Sequence, residues 1–407
     1  MSELDLAYQA IWNNNVTAKE ETGARALVMK GLPQFVELET TQKCNLDCLE
    51  CPREPGPQGI DVPEWIVEKL GAIMPSLQNI SLHGLGEPLM SKRTDEIVRR
   101  LSPLTHVWFS SNLQILTPRH LELFKDRAGV VSCSLDAATP ETYALVRGAD
   151  LARSIENIAR VRDATKLRVF INMTLMKMNV GEVGRFLELG KSLGVDKVVF
   201  LRLNEGDSYE IVRDRGTFHF VYGEQHLSAE DARDVARQIE EHPAPFPVED
   251  NINLKLHPGT AAAPPEAAAD VRPADAPPLE VAPAKADAAG GEVSVVNPDK
   301  ELLCSMPWTN LHVRIDGSVR VCCHHEAFAN LEDRTVEEIW NGPELQAMRA
   351  AIGKGELHPL CQRENCPVYR DWRVKTTPSR ALPARIGRAL RRGLAPAAAS
   401  GAARLLR

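Results

Sequence analysis

The sequence is organised around residues 40–53, which read Thr40-Thr41-Gln42-Lys43-Cys44-Asn45-Leu46-Asp47-Cys48-Leu49-Glu50-Cys51-Pro52-Arg53. The three cysteines have the spacing C-x3-C-x2-C and follow an apolar, strand-like segment, residues 35–38. Three thiolates on one loop can hold three irons of a cubane iron–sulfur cluster, whereas most such clusters are held by four cysteines. Because no fourth cysteine lies close by, one iron would stay open for a small ligand. The alternative is a zinc site or three unpaired thiols.

The composition predicts a globular α/β protein. With 407 residues, 43% hydrophobic and 25% charged, the chain is long enough for one large α/β domain and a smaller one. The formal net charge of -7 argues against a general nucleic-acid partner. No apolar run approaches the ~18 residues of a transmembrane segment, and residues 1–5 lack the order of a signal peptide. We therefore expect a cytoplasmic protein, in which nine clustered cysteines serve metal ligation rather than disulfides.

Six short apolar runs alternate with helical patterns between residue 34 and about residue 205. Strands are predicted near residues 35–40, 78–83, 105–111, 130–135, 167–174 and 196–203. Strands rich in β-branched and aromatic residues, separated by amphipathic helices, are typical of βαβ units and a parallel sheet. The periodicity alone does not distinguish a partial barrel from a doubly wound sheet. In barrels the active site lies at the carboxyl ends of the strands.

The cysteine spacing resembles the signature of the radical S-adenosylmethionine (SAM) enzymes, and further motifs of that family follow in order. The second predicted strand ends in His83-Gly84-Leu85-Gly86-Glu87-Pro88, which resembles the family's Gly-Gly-Glu-Pro element with Leu85 in place of the first glycine. The resemblance implies a partial (β/α)6 TIM-like barrel. It also implies a SAM-binding [4Fe-4S] cluster on Cys44, Cys48 and Cys51, whose open iron is chelated by the amino and carboxylate groups of SAM.

The same resemblance implies which residues contact SAM. Gly86 would let the backbone approach the ligand, and Glu87 would accept hydrogen bonds from its ammonium group. Only Asn112 of Ser110-Ser111-Asn112-Leu113 matches the family's Thr-Asn-Gly, so Asn112 is a candidate for polar contact.

The fourth and sixth predicted strands supply the remaining candidates. The run Ser134-Leu135-Asp136, followed by Tyr143 and Arg147-Gly148, resembles the family's Ser-x-Asp-Gly…Tyr…Arg-Gly. By that resemblance Ser134 and Asp136 reach polar groups of the ligand, and Arg147 pairs with its carboxylate. Leu203, at the end of the sixth strand, is the candidate for contact with the adenine. No catalytic base can be named from the sequence.

A second group of cysteines lies near the other end of the chain. Two alternating runs joined by Asp316-Gly317 predict a β-hairpin that brings Cys304 and Cys322 together. This unit resembles the auxiliary-cluster domains of radical SAM enzymes, called SPASM and, in a shorter form, twitch. The resemblance implies one auxiliary [4Fe-4S] cluster on Cys304, Cys322, Cys361 and Cys366. Cys323 would point to the other face of its strand, and His324 and His325 are interpreted as surface residues. A structural zinc site is the alternative.

These observations divide the chain into five parts. Residues 1–33 form an N-terminal helical extension and residues 34–257 the radical SAM barrel core. Residues 258–299 are an Ala/Pro-rich flexible linker, since they contain almost no large apolar side chains. Residues 300–377 form the small α+β auxiliary domain. Residues 378–407 are a basic tail, predicted to be disordered or, alternatively, to dock an acidic partner or a membrane surface.

The family resemblance implies a reaction. A flavodoxin- or ferredoxin-type reductant delivers one electron, SAM breaks into methionine and a 5′-deoxyadenosyl radical, and that radical takes a hydrogen atom from substrate. A single auxiliary cluster favours two-electron oxidation of a small polar metabolite of the sugar or cyclitol type. Maturation of a ribosomally made peptide is the first alternative. A non-enzymatic iron–sulfur or zinc scaffold is the second.

Overall fold

The computed structural model describes residues 2–53, 59–203, 211–250, 302–323, 325–362, 366 and 368. The predicted linker, 258–299, and the predicted basic tail, 378–407, lie outside the described residues. The boundaries proposed from the sequence at residues 257, 299 and 377 therefore stay predictions.

All six strands predicted for the barrel are present. They are β1 Phe35–Glu39, β2 Asn79–His83, β3 His106–Ser111, β4 Gly129–Ser134, β5 Leu167–Leu175 and β6 Lys197–Arg202. The later strands are β7 Val212–Arg215, β8 Phe218–Val221, β9 Val248–Asp250, β10 Asn310–Val313, β11 Ser318–Arg320 and β12 Ala329–Asn330.

Along the chain, most of the helices alternate with the strands of the parallel sheet. They are α1 Glu3–Gly23, α2 Glu64–Gly71, α3 Lys92–Arg100, α4 Pro118–Phe124, α5 Pro140–Arg147, α6 Leu151–Ala164, α7 Val183–Leu193, α8 Ala229–Glu241, α9 Met306–Thr309, α10 Val336–Trp340 and α11 Pro343–Gly353. Short 3₁₀ turns occur at Met74–Ser76, Pro88–Met90, Val180–Glu182, Tyr222–Gln225 and Pro359–Cys361.

Strands β1 to β6 pair in sequence order, and every pair is parallel. Strand β9, which was not predicted, adds one more parallel strand beside β6. Because these strands are parallel, their carboxyl ends lie along one edge of the sheet. The predicted fold class, a partial α/β barrel with a small C-terminal domain, is confirmed.

The two faces of the sheet differ in polarity. Val36 and Leu38 of β1 are buried in the same hydrophobic core as Ile66 and Leu70 of α2, so this face packs against the helices. The residues that alternate with them lie on the opposite face, which we call the inner face. Its members include Glu37, Ser81, His83, Trp108, Ser110, Ser132, Ser134, Phe170 and Asn172. The inner face is therefore rich in hydroxyl, amide, imidazole and carboxylate groups.

The C-terminal unit continues the barrel sheet. Strand β10 pairs in parallel with β1, with Glu37 opposite His312, and β11 and β12 follow in antiparallel order. The predicted hairpin is present. Its Gly317 has φ +78°, where glycine carries no steric cost, and a Cβ at this position would lie 2.5 Å from the ring of Trp65. One ten-stranded sheet thus connects the two cysteine-rich regions.

The N-terminal helical extension packs against the C-terminal unit. The indole of Trp308 donates to the carbonyl of Ala26 over 2.8 Å, and the indole of Trp340 donates to the carbonyl of Gly31 over 2.7 Å. Both indoles are fully buried, so each hydrogen bond satisfies a donor that water cannot reach. Across the described part of the chain, no helix combines the length and hydropathy that crossing a membrane requires.

Candidate functional site

The loop that carries Cys44, Cys48 and Cys51 leaves the carboxyl end of β1. The first residues of this loop are held by backbone hydrogen bonds from the turn after β2, where Gly86 donates to the carbonyl of Thr41 and Glu87 to that of Lys43, over 3.1 and 2.8 Å. The resemblance to the Gly-Gly-Glu-Pro element assigned this turn to ligand binding. The structure shows that it also fixes the start of the cysteine loop.

Gly86 is needed for that contact. A Cβ on Gly86 would lie 2.4 Å from the carbonyl oxygen of Thr41 and 2.6 Å from that of Lys43. Both distances are far below a van der Waals contact, so the backbone must move to accept a side chain. In this structure Gly86 lies close to the backbone of the cysteine loop, and its predicted approach to a ligand stays a prediction.

We expect Gly86→Ala to lower the free energy of unfolding by about 1–3 kcal/mol, because overpacking at a backbone contact displaces the loop. Thermal unfolding and the iron retained after reconstitution measure the effect. Gly71→Ala is the matched control, since a Cβ there meets no atom within 4 Å. If both variants show the same thermal unfolding and the same iron retention, the proposed contact is contradicted.

Glu87 is buried, and protein donors occupy both of its oxygens. Oε1 accepts from the hydroxyl of Ser111 over 2.8 Å and from the amide of Leu89 over 3.1 Å, and Oε2 accepts from the amide of Asn112 over 2.8 Å. Burial raises the pKa of Glu87, which these hydrogen bonds partly offset. Its binding of an ammonium group stays a prediction. Asn112 itself donates to Asn45 over 3.0 Å, so this polar group reaches the cysteine loop.

Arg147 lies beside the second cysteine. Its Nη1 is 3.2 Å from Sγ of Cys48, 3.2 Å from the carboxylate of Asp136 and 3.3 Å from that of Glu50, while Nη2 donates to the carbonyl of Ser134. Burial raises the pKa of the Cys48 thiol, and the guanidinium acts in the opposite direction, toward the thiolate. Burial and the nearby Asp136 carboxylate raise the pKa of Glu50 to about 7.

These contacts give Arg147 partners that the sequence did not predict. The resemblance assigned it to the carboxylate of SAM, yet here its Nη atoms serve the protein. Its buried Nε has no hydrogen-bond partner among the described residues. Asp136 adopts a left-handed backbone, φ +58°, which directs its carboxylate to Arg147 and to the amide of Thr174. Pairing of Arg147 with a ligand carboxylate stays a prediction.

Two arginines that the sequence analysis missed hold the cysteine loop. Arg213, on β7, donates to the carbonyls of Cys48, Cys51 and Arg53. Arg215, two residues further along the same strand, donates to the carbonyl of Asp47 and, over 3.1 Å, to that of Leu145. The alternation of apolar and polar residues from residue 212, with a turn at Gly216, could have predicted this hairpin.

Leu203 is buried in a small apolar cluster next to the cysteine loop. Its neighbours there are Leu49, Val146, Met176, Phe220 and Tyr222. Contact of Leu203 with an adenine stays a prediction. Ser134, the last residue of β4, is half-buried on the inner face.

A second thiol site lies in the C-terminal unit. Cys304, Cys322, Cys361 and Cys366 line one pocket, whose other lining residues are mainly apolar: Met306, Pro307, Val321, His325, Ile352, Leu357 and Val368. Cys323 is exposed and does not line the pocket. The interpretation of His325 as a surface residue is wrong, because it is buried against this pocket. His324 lies outside the described residues.

Burial and the neighbouring thiols raise the pKa of two of these cysteines, Cys361 and Cys304. Desolvation raises the pKa of Cys361 to about 12, and the neighbouring Cys304 and Cys366 add to the shift. Burial likewise raises the pKa of Cys304. A cationic metal centre would reverse this shift, since a coordinating thiol loses its proton outright. Four cysteines that line one mainly apolar pocket are therefore a donor set suited to a metal centre.

Two family models match the chain. The model of the radical SAM superfamily matches residues 38–190, and that of the SPASM iron–sulfur cluster-binding domain matches residues 304–367. The first match contains the cysteine loop and the turn with Gly86, and the second contains all four thiols of the C-terminal pocket.

Curated relatives match only part of the chain. A probable GTP 3′,8-cyclase of Saccharolobus islandicus (strain Y.N.15.51 / Yellowstone #2) is 28% identical over 179 residues, which are 42% of this chain and 56% of the relative. The GTP 3′,8-cyclase of Pelotomaculum thermopropionicum is 30% identical over 155 residues, 35% of this chain and 47% of the relative. The chain thus spans about half the length of these relatives.

Solved structures share the fold. Streptococcus suis SuiB bound to S-adenosylmethionine superposes with a TM-score of 0.55 at 14% identity, covering 89% of this chain and 76% of SuiB. SuiB bound to precursor peptide SuiA gives a TM-score of 0.53 at 12% identity, covering 82% of this chain and 69% of SuiB. At these identities the similarity concerns the fold alone.

Proposed function

Because this chain belongs to the radical SAM enzyme family and carries a C-terminal SPASM iron–sulfur cluster-binding domain, we propose that it oxidises a small polar metabolite. When bound, a [4Fe-4S] cluster with SAM would supply the hydrogen-abstracting radical, and one auxiliary [4Fe-4S] cluster would supply the acceptor for the second electron. The protein residues hold these groups and shape the substrate site.

Cys44, Cys48 and Cys51 would hold the SAM-binding cluster. The donor set fits, because the three free thiols share one loop whose carbonyls are held by Arg213 and Arg215. Arg147 adds a buried positive charge beside Cys48, which favours the thiolate. Gly86, Glu87, Asn112, Ser134, Asp136, Arg147 and Leu203 are the residues proposed to contact SAM.

Cys304, Cys322, Cys361 and Cys366 would hold the auxiliary cluster. Four thiols around one apolar pocket fit a single cubane, which takes four cysteines. Exclusion of the exposed Cys323 from that pocket supports one auxiliary cluster rather than two.

Anaerobic reconstitution is expected to load about eight irons per chain, two cubanes. The double variant Cys361→Ala/Cys366→Ala should retain about four, and Cys323→Ser, the control, should retain about eight. Iron and acid-labile sulfide analyses measure both. If the iron content of the wild type stays near four per chain, the proposed auxiliary cluster is wrong.

The polarity of the inner face is the observation that supports a small polar metabolite as the substrate. Ser81, Ser110, Ser132 and Asn172 lie on this face of successive strands. Asn172 donates to the hydroxyl of Ser132 over 2.6 Å, while its own buried Oδ1 has no donor among the described residues. A buried acceptor without a donor is costly, and a hydroxyl or amine of a polar substrate would satisfy it. A sugar or cyclitol alcohol has groups of this kind.

The reaction is tested with reconstituted protein, SAM and dithionite. We expect slow formation of 5′-deoxyadenosine without substrate, and faster formation when low-molecular-mass polar metabolites of the producing cell are added. With deuterated substrate the 5′-deoxyadenosine should gain one mass unit. If only a precursor peptide stimulates the reaction, peptide maturation, the alternative, replaces this proposal. If no 5′-deoxyadenosine forms under any condition, the proposed chemistry is wrong.

A further inference from the structure

Three metal-ligating side chains converge on the inner face, away from the cysteine loop. Glu37 of β1, His83 of β2 and His312 of β10 have one ligand atom each within 4.8 Å of one another. Glu37 Oε2 lies 3.2 Å from Nδ1 of His312 and 3.8 Å from Nε2 of His83. Nitrogen and oxygen ligands about 2.0–2.1 Å from a zinc ion lie roughly 3.0–4.2 Å apart.

Ordinary hydrogen bonding does not account for this arrangement. Although Glu37 Oε2 and His312 Nδ1 are only 3.2 Å apart, both are buried atoms without a hydrogen-bond partner among the described residues. A buried polar atom left unpaired costs about 1–3 kcal/mol, and two such atoms face each other here. A cation between them would satisfy both at once.

The charge states of His312 and Glu37 are compatible with a cation beside them. Burial lowers the pKa of His312 to about 4, so at neutral pH its imidazole is uncharged and offers a lone pair. Burial also raises the pKa of Glu37, a shift that a nearby positive charge would offset. The positive charges of Arg320 and Arg314 also lower the pKa of His312. Arg314 lies 3.5 Å from the carboxylate of Glu39, which compensates its charge.

The other ring nitrogen of His83 has a partner of its own. Nδ1 of His83 is 3.2 Å from the hydroxyl of Ser81, which leaves Nε2 directed at Glu37. A histidine ligand normally has such a contact on its second nitrogen, because it fixes the ring orientation and the tautomer.

We propose that Glu37, His83 and His312 form a binding site for one divalent transition-metal ion of the zinc class. Two imidazoles and one carboxylate suit zinc or ferrous iron, and three protein ligands leave at least one coordination position open. Since β1 and β2 belong to the barrel and β10 to the C-terminal unit, the ion would join the two cysteine-rich parts of the sheet. The proposal does not depend on the proposed function, because metal binding is measured without SAM or substrate.

The test uses the full-length protein with its iron–sulfur clusters reconstituted, treated with a chelating resin, given micromolar Zn²⁺ and desalted. We expect about one zinc per chain, and zinc K-edge absorption should report nitrogen and oxygen neighbours near 2.0–2.1 Å. Glu37→Gln, His83→Ala and His312→Ala should each lower zinc retention at least about tenfold. His106→Ala, a half-buried inner-face histidine of β3 outside the cluster, is the matched control and should keep the zinc.

Iron content and circular dichroism verify that each variant is folded and loaded. Ser81→Ala gives a milder second test, with zinc binding weakened roughly tenfold through loss of the His83 orientation. Equal zinc retention in wild type and the three ligand variants would overturn the proposal. So would a sulfur shell near 2.3 Å, or the lack of retained zinc in the wild type.

Discussion

Replacing Cys44, Cys48 and Cys51 together with alanine is expected to reduce 5′-deoxyadenosine formation to the background of SAM with dithionite alone. The loop would then lack all three thiols that are proposed to hold the SAM-binding cluster. A loss of roughly 10³-fold or more corresponds to at least about 4 kcal/mol of transition-state stabilisation. Chromatography of the nucleoside products, under anaerobic conditions, measures the effect.

Cys133→Ala is the matched control for this triple variant. Cys133 is also a free cysteine and is fully buried, but it lies in the helix-facing core of β4. Its removal should lower stability modestly and leave 5′-deoxyadenosine formation measurable. The triple variant should still load about four irons, held by the C-terminal thiols. Persistent 5′-deoxyadenosine formation in the triple variant would contradict the assignment of this loop.

Arg213→Ala is expected to give the second-largest effect, although Arg213 is not proposed as a ligand. The side chain donates to three carbonyls of the cysteine loop, those of Cys48, Cys51 and Arg53. Hydrogen bonds from a charged donor are worth about 1.5–3 kcal/mol each. We expect the half-life of the SAM-binding cluster in air-free buffer containing a chelator to fall at least about tenfold, followed by loss of 5′-deoxyadenosine formation.

The hairpin supplies controls for this prediction. Asp214 lies between Arg213 and Arg215 but is exposed and pairs with His219, so Asp214→Ala should retain the cluster. Arg213→Lys should not rescue the loss, because a single ammonium cannot reproduce the fork of a guanidinium. Full cluster retention in Arg213→Lys would show that only the positive charge matters. Full retention in Arg213→Ala would mean that the hairpin does not stabilise the loop.

Local patterns sufficed for much of this protein. The six barrel strands were predictable because alternation of apolar residues reports a buried face within five to nine residues, and all six occur close to the expected positions. The C-x3-C-x2-C loop and the Asp316-Gly317 hairpin were predictable for the same reason, since the spacing within one short segment carries the information.

The remaining features depend on contacts between distant segments. Arg213 lies 162 residues from Cys51, and no pattern in either segment predicts that they meet. The sequence did not predict that Gly86 packs against the backbone of Thr41, where an added Cβ would lie 2.4 Å from the carbonyl oxygen. His325 follows Cys322 and Cys323 closely and was interpreted as a surface residue, but the pocket buries it.

The order of strands and helices, the two sets of cysteines and the family could all be predicted from the amino-acid sequence, because these features depend on spacing along the chain. By contrast, the pairing of β10 with β1, which places His312 opposite Glu37, could be seen only in the folded protein, since these residues are 275 positions apart (312 less 37). Strand pairing fixes such a register through the backbone hydrogen bonds and the burial of one whole face. These hydrogen bonds and this burial exist only when both strands lie in the same sheet, so neither strand's sequence alone predicts the register.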